Sequence, residues 1–83
     1  MRLLYFASVR EGIGRPSEEL AVPAAVGTVG DLLDWLRNRG PEYEHTLAEG
    51  TAIRVALDRV HARPEAGIAG VSEAALFPPM TGG

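Results

Sequence analysis

The clearest hydrophobic pattern in the chain predicts a helix that begins after Thr28. Apolar residues recur at positions i, i+3, i+4 and i+7, so they share one face of an α-helix. These residues are Val29, Leu32, Leu33 and Leu36. Thr28 is a favourable N-cap with Asp31 three residues later, and Gly40-Pro41 is a strong stop signal. The helix face is typical of core packing.

The N-terminal segment has the pattern of a β-hairpin. Residues 3–9 are almost continuously apolar, which suits a strand covered on both faces. Residues 12–16 have the glycine and proline content of a turn. Residues 18–22 then return as a shorter strand, which Pro23 ends.

The C-terminal half predicts a short helical turn and three further strands. The helical turn is expected within residues 41–50, where Tyr43 and Leu47 are four residues apart. Apolar residues alternate along residues 53–57, which is the period of a half-buried strand. The remaining elements are, in order, a turn at 58–59, a short strand at 60–62, a loop at 64–70 and a final strand at 74–77.

The order of these elements predicts an α+β protein with a β-grasp, ubiquitin-like fold. The order is strand, strand, helix, strand, short strand, strand, and one main helix would cover one face of a mixed sheet. The leucine face of the helix would pack against Leu3, Leu20 and Val55. We expect residues 1–77 to form this domain and residues 78–83 to form a flexible C-terminal tail.

The composition excludes several classes of function. The chain has 83 residues, of which 46% are apolar, as in one small globular domain. It has no apolar run of membrane-spanning length and no signal-peptide pattern, so we expect no membrane partner and a cytoplasmic location. A net charge of −3 lacks the basic footprint that binds nucleic acid. There is no cysteine, and all eight basic residues are arginine, so no thiolate or lysine can act as a nucleophile.

The body of the chain offers no convincing catalytic group. His45 and His61 lack the spacing and the cysteine partners of a metal site. The acidic pairs at 18–19 and at 42 and 44 are typical of solvated surface carboxylates. We therefore expect the body to be a scaffold that binds no metal or cofactor, with any reaction at the C-terminus.

The last seven residues form a segment that suits a narrow active site. They are Phe77-Pro78-Pro79-Met80-Thr81-Gly82-Gly83. The prolines favour an extended backbone, and the six residues after Phe77 could reach roughly 19 Å at about 3.1 Å per residue. The two glycines let other atoms approach the main chain closely. An enzyme could activate the terminal carboxylate with ATP, usually with a metal ion, as an acyl-adenylate. Attack by sulfur would then leave a thiocarboxylate.

The sequence resembles the small, sulfur-carrying subunit of molybdopterin synthase. The matching segments span nearly the whole chain, and the F-P-P-x-T-G-G ending is fairly specific. These segments are the opening Leu4-Tyr5-Phe6-Ala7-Ser8-Val9-Arg10-Glu11, the helix start Thr28-Val29, the strand Val55-Ala56-Leu57 and the ending Leu76-Phe77-Pro78-Pro79-Met80-Thr81-Gly82-Gly83.

The resemblance implies that Gly83 is the reacting residue. An adenylating enzyme similar to ubiquitin-activating enzymes would use ATP and Mg²⁺ to activate its carboxylate, which then becomes a thiocarboxylate. The sulfur would pass to cyclic pyranopterin monophosphate inside the large synthase subunit, whose lysine is catalytic, to build the dithiolene of molybdopterin. The implied assembly is a heterotetramer of two small and two large subunits, in which this chain is the non-catalytic sulfur donor. The tail residues that would enter the large subunit are Pro78, Pro79, Met80, Thr81 and Gly82.

Alternation along the final strand predicts a partner surface. Leu76 and Phe77 must point to opposite faces of the sheet. If Leu76 meets the leucine face of the helix, Phe77 faces away from it, where a single helix leaves an apolar patch uncovered. We expect Phe77 to contact the large subunit together with Phe6, which we place on the neighbouring first strand, and with His61 and Arg10.

Two places depart from the family pattern. Asp58 stands where the family often has asparagine. Residues 70–73, Gly-Val-Ser-Glu, replace a usual Asp-Gly-Asp-Glu turn before the last strand.

Two other classes of function remain open. One is a sulfur carrier for another pathway, such as thiamine synthesis. The other is a ubiquitin-like modifier or a non-catalytic interaction domain.

Overall fold

A computed structural model describes residues 1–79, which form five strands and three helices. The strands are β1 (Arg2–Tyr5), β2 (Ser17–Glu19), β3 (Arg54–Leu57), β4 (Val60–Ala62) and β5 (Glu73–Phe77), and the helices are α1 (Ala7–Ile13), α2 (Val29–Arg37) and α3 (Pro41–Thr46). The strands make one mixed sheet in the order β2-β1-β5-β3-β4. The pair β1 and β5 is parallel and the other described pairs are antiparallel. The predicted β-grasp fold is confirmed.

The first and last strands lie side by side inside the sheet. Leu3 is opposite Ala74, and Tyr5 is opposite Leu76, in parallel register. Each of these four side chains is at most 1% exposed. They belong to one hydrophobic core that includes residues of all three helices, so the helices cover the same face of the sheet.

The capping signals of α2 act as the sequence predicts. The backbone N–H of Asp31 donates to Thr28 Oγ1 (3.1 Å), and the N–H of Thr28 donates to Asp31 Oδ2 (3.2 Å). This is a complete capping box, although aspartate is shorter than the usual glutamate. Val29, Leu32 and Leu36 are buried, whereas Leu33 is half-buried. Three of the four residues predicted for the buried face of α2 are therefore buried, and Leu33 lies at its border.

The predicted first strand is too long, because residues 7–13 form α1. Val9 and Ile13 are four residues apart and both are buried, which is the spacing of one helix face. Gly14 ends the helix with a left-handed backbone (φ 90°), as glycine does readily. The turn expected at residues 12–16 is thus confined to the residues after the helix.

Helix α1 approaches α3 closely at Gly12. A Cβ atom added there would lie 2.2 Å from Thr46 Oγ1, which is far inside van der Waals contact. The absence of a side chain lets the two helices pack at this point. Sequence analysis predicted that Gly12 lies in a turn. The contact with Thr46 gives no local signal, because Thr46 is distant in the sequence.

The second strand is also shorter than expected, since β2 covers residues 17–19 and not 18–22. Leu20 still donates its N–H to the carbonyl of Met1 (2.9 Å) and is 9% exposed. The N-terminal amino group of Met1 donates in turn to the carbonyl of Leu20 (2.9 Å), so backbone pairing with the N-terminus continues to Leu20, and its side chain lies in the core.

The two departures from the family pattern are in direct contact. Asp58 and Arg59 have positive φ angles (46° and 71°) and form the two-residue turn between β3 and β4. Asp58 Oδ1 accepts the backbone N–H groups of Ser72 (3.2 Å) and Glu73 (3.0 Å). This carboxylate thereby links the hairpin turn to the start of β5.

Residues 1–79 contain neither a membrane-spanning helix nor a cluster of metal-binding side chains. No helix in this part of the chain is long and apolar enough to cross a membrane. The same residues hold no group of three or more histidine or carboxylate side chains that could bind a metal ion.

Leu32→Ala should lower the free energy of unfolding by about 2–5 kcal/mol, because Leu32 is fully buried and its truncation leaves a cavity. Leu33→Ala should cost less than half as much, since Leu33 is already half-exposed. Denaturant melts of the two variants measure the difference. Equal losses would mean that both leucines are core residues.

Candidate functional site

The sheet face opposite the helices carries an apolar patch. We define the open-face patch as Leu4, Ala56, Ala75 and Phe77. Ala75 lies between Leu4 on β1 and Ala56 on β3. Ala56 is 8% exposed and the other three side chains are half-buried. Since the helices pack on the other face, this patch is available to a partner.

Phe77 lies where β5 meets the C-terminal segment. Leu76 is fully buried among the helices, so alternation directs Phe77 to the open face, as predicted. Its ring contacts His61 of β4 edge-to-face, with centroids 5.4 Å apart and an interplanar angle of 75°. Geometry of this kind favours the aromatic pair and holds Phe77 in place. His61 itself is exposed.

Phe6 is not on β1, as the sequence suggested, but immediately after it as the N-cap of α1. Its backbone N–H donates to the carbonyl of Leu76 (3.1 Å), which ties it to the end of β5. The side chain is 47% exposed, so Phe6 is not a core residue. Arg10, also exposed, follows one turn later on α1.

The described part of the tail begins against the body of the domain. Pro78 and Pro79 are half-buried. Pro78 lines a cavity of about 530 Å³ with residues of α1 and α3, among them Ser8 and His45. The remaining predicted tail residues lie outside the described part of the chain: Met80, Thr81, Gly82 and Gly83.

Behind this site, Glu18 holds three elements together. Tyr5 of β1 and Tyr43 of α3 donate their hydroxyls to Glu18 Oε2 (2.7 and 2.5 Å). Arg15 and Arg39 approach Oε1 at 3.2 and 3.8 Å. The Glu18 side chain is only 9% exposed, so the expectation of a solvated carboxylate is wrong for it. Glu19, Glu42 and Glu44 are exposed, as expected.

The surroundings of Glu18 favour its charged form. Burial by itself raises the pKa of Glu18, but hydrogen bonds from Tyr43 and Tyr5 and the charges of Arg15 and Arg39 hold it below its ordinary value. Burial and the bond to Glu18 raise the pKa of both tyrosines. The carboxylate is therefore a structural acceptor and not a proton donor near neutral pH.

Sequence reasoning found Phe77 but not the rest of the open-face patch. Leu4 was hidden in a run predicted to be covered on both faces, and the alanines gave little signal because they are small. Pairing across β1, β5 and β3 brings these residues together. What this arrangement can do is bind an apolar partner surface beside the point where the tail leaves the domain.

A five-stranded mixed sheet with helices on one face and a C-terminal segment leaving its central strand defines a ubiquitin-like β-grasp protein. The ThiS family model matches residues 3–83, and the chain belongs to the ThiS family. Members of this family are ubiquitin-like sulfur carriers that work with partner enzymes. The family membership supports a sulfur-carrier role for this chain.

Among solved structures, the chain is similar to SAMP1 from Haloferax volcanii. The two are 28% identical with a TM-score of 0.73, and the match covers 100% of this chain and 98% of that one. No curated protein sequence matches the chain significantly.

Glu18→Gln should lower the free energy of unfolding by about 1–3 kcal/mol at pH 7, because the amide loses the charge that accepts both tyrosine hydroxyls. The folded-state pKa of Glu18 is depressed, so its contribution is complete above the unfolded-state pKa of about 4.3 and is lost as pH falls through the folded-state pKa. The gap between wild type and variant should therefore narrow below about pH 4.

Denaturant melts across the acid range measure this gap. Glu44→Gln is the matched control, since Glu44 is exposed, and it should change stability by no more than about 0.5 kcal/mol. A gap between wild type and Glu18→Gln that stayed constant with pH would contradict the role assigned to the Glu18 charge.

Proposed function

We propose that this chain is the small, sulfur-carrying subunit of molybdopterin synthase. The observation that carries the proposal is the F-P-P-x-T-G-G ending of a ThiS-family β-grasp domain. Its proline pair follows the central strand β5 beside the open-face patch. In this role residues 1–77 are the docking body and residues 78–83 the reactive tail.

The first chemical step is activation of Gly83. Its carboxylate attacks the α-phosphorus of ATP, forms a bond to it and expels pyrophosphate, which gives an acyl-adenylate. A partner enzyme similar to ubiquitin-activating enzymes supplies the ATP site and Mg²⁺, because this chain offers no phosphate-binding loop. Hydrosulfide, or an equivalent sulfur nucleophile, then attacks the carbonyl carbon and expels AMP, which leaves a thiocarboxylate.

The second step takes place in a complex with the large synthase subunit. The tail, Pro78 to Gly83, enters that subunit, and the thiocarboxylate sulfur attacks a carbon of cyclic pyranopterin monophosphate and displaces an oxygen substituent from it. Water then cleaves the resulting thioester, which leaves the sulfur on the pterin and restores the Gly83 carboxylate. Two such transfers build the dithiolene, so a heterotetramer of two small and two large subunits is the proposed assembly. This chain acts as a non-catalytic donor, which agrees with its lack of lysine and cysteine.

The body contributes binding energy and position. The open-face patch and the exposed ring of Phe6 offer apolar area around the tail. His61 and Arg10 add polar contacts at its border. A few central residues, often aromatic, carry most of the binding energy of an interface, which favours Phe77 as the anchor.

A sulfur carrier of another pathway is the second candidate. Membership of the ThiS family favours it as much as it favours the first, because the family describes the carrier and not the acceptor. The deciding experiment charges the chain with sulfur and then offers it the large synthase subunit with cyclic pyranopterin monophosphate. Dithiolene formation supports the first candidate. Stable thiocarboxylate without transfer would favour the second, and isopeptide products would indicate a modifier.

Deletion of Gly83 should abolish adenylation and sulfur loading, because the carboxylate would then lie one residue too short for the activating site. Intact mass after incubation with the adenylating enzyme, ATP and hydrosulfide reports the exchange of one oxygen for one sulfur. Gly82→Val should also block loading, since a β-branched side chain stands where the tail must fit closely.

The core cluster is formed by residues within 1–79, so we expect melts of both variants to match wild type. A chain without Gly83 that still acquired sulfur would exclude the terminal mechanism.

Phe77→Ala should weaken association with the large subunit roughly 30-fold or more, which corresponds to a hot spot of about 2 kcal/mol. It should lower the chain's own stability less than Leu32→Ala does, because Phe77 is only half-buried. Titration calorimetry measures the first effect and denaturant melts the second. Unchanged binding together with a melt as damaged as that of Leu32→Ala would make Phe77 a core residue.

A further inference from the structure

The β3–β4 hairpin is a basic segment of an acidic protein. Residues 54–63 contain three arginines and one aspartate, whereas the whole chain has a net charge of −3. Among the described residues, Arg54, Arg59 and Arg63 take part in none of the ion pairs. The aspartate, Asp58, is occupied by the N–H groups of Ser72 and Glu73. With three arginines against one aspartate, the hairpin keeps a net charge of +2 within an acidic chain.

Strand β4 is also an edge of the sheet. It pairs with β3 on one side, and the strand order places nothing beyond it within residues 1–79. Leu57 and Val60 close a two-residue turn, so the alternation of an antiparallel ladder directs the N–H and C=O of His61 away from the sheet. An unpaired edge of this kind can accept another strand. Val60, which begins the edge, is 69% exposed.

A groove runs between this edge and α2. Its volume is about 310 Å³, and its floor includes the half-buried side chains of Leu33, Ile53 and Ala62. No carboxylate is among its lining residues, although both Arg54 and Arg63 border it. This groove is the reason that Leu33 is more exposed than the other residues of the α2 face.

We propose that the β4 edge binds an extended, acidic and apolar segment of a partner protein by strand addition. The segment pairs with the backbone of His61 and places alternate apolar side chains in the groove. Arg59 and Arg63 stand at the two ends of the edge, about 13 Å apart at about 3.3 Å per residue, so carboxylates flanking the apolar residues meet both. The edge adjoins the open-face patch at His61, but its groove lies on the helix side of the sheet, and the proposal goes beyond the proposed sulfur transfer. A protein segment fits better than a nucleic acid, because the groove floor is apolar and the chain is acidic overall.

A blocked peptide tests the proposal with the full-length chain: acetyl-Ser-Glu-Thr-Ile-Val-Val-Asp-Ser-amide. Backbone amide shifts should change at residues 60–63, the methyl shifts of Leu33 and Ile53 should change with them, and the N–H of His61 should become protected from exchange. The double variant Arg59→Asn/Arg63→Gln should weaken binding about fivefold or more at low salt, and less at high salt. Asparagine tolerates the positive φ of residue 59, so the turn is preserved.

Two controls separate this surface from general charge effects. A peptide with glutamine and asparagine in place of its acids should bind the wild type as weakly as the acidic peptide binds the double variant. Arg2→Gln removes an exposed arginine from β1, far from the edge, and should leave affinity unchanged. The titration uses neither ATP nor an activating enzyme, so its result does not depend on the proposed sulfur chemistry.

Several results would overturn the proposal. One is the absence of binding up to millimolar peptide, and another is a set of shifts confined to the open-face patch. A third is an equal loss of affinity in Arg2→Gln. Tighter binding of an oligothymidine probe at the same residues would make the hairpin a nucleic-acid surface. Self-association of the double variant, without peptide binding by the wild type, would mean that the arginines serve to keep the edge unpaired.

Discussion

The parallel pairing of β1 with β5 is the constraint on which the rest of the structure depends. It joins the first strand to the last and places both inside the sheet, with Leu3, Tyr5, Ala74 and Leu76 fully buried between the ladder and the helices. Because these contacts join the two ends of the chain, they carry a larger loop-closure cost than local contacts do. They also fix where the C-terminal segment leaves the domain. The C-terminal segment therefore leaves the domain from the central strand of the sheet.

Because the helices cover only one face of the sheet, some apolar residues form the core and others remain accessible on the opposite face. The core takes Leu32, Leu36 and Leu76, while Phe77 and the other residues of the open-face patch remain accessible. Alternation along β5 makes this division within two consecutive residues, since Leu76 and Phe77 serve opposite faces. The same fold leaves the β4 edge unpaired and Leu33 half-exposed beside it. Two surfaces with different chemistry, one apolar and one basic, therefore border a common core.

Polar contacts set the positions of elements that hydrophobic burial alone would leave loosely specified. Glu18 binds Tyr5 and Tyr43 and so joins the end of β1, β2 and α3. At the other side of the sheet, Asp58 joins the β3–β4 turn to the start of β5. In both cases a carboxylate accepts two donors that are distant in sequence. Such acceptors are costly to leave unpaired, which makes the arrangement specific.

The sequence by itself determined the elements whose signals are local. The period of the α2 leucines, the Thr28 cap, the alternation at residues 53–57 and the proline pair after Phe77 each depend on neighbouring residues, and together they predicted the β-grasp order. They also led to the prediction that the chemistry lies at the tail, because the sequence of the body offered no convincing nucleophile or metal site. The direction of Phe77 followed from the period of a strand alone.

Only the tertiary structure decided the features that depend on residues distant in the chain. Residues 3–9 were predicted to form one apolar strand, but Ala7 turns the chain with a positive φ (51°), and residues 7–13 form a helix that buries Val9 and Ile13 in the core. The sequence around Glu18 is typical of a solvated acid. In the structure Glu18 is largely buried, because Tyr5 and Tyr43 of other elements pack against it and donate hydrogen bonds to it. The open-face patch and the unpaired edge of β4 arise from strand order. Local periodicity specifies which face of an element is apolar, whereas the neighbour that covers that face, or leaves it free, is fixed only when the whole sheet is assembled.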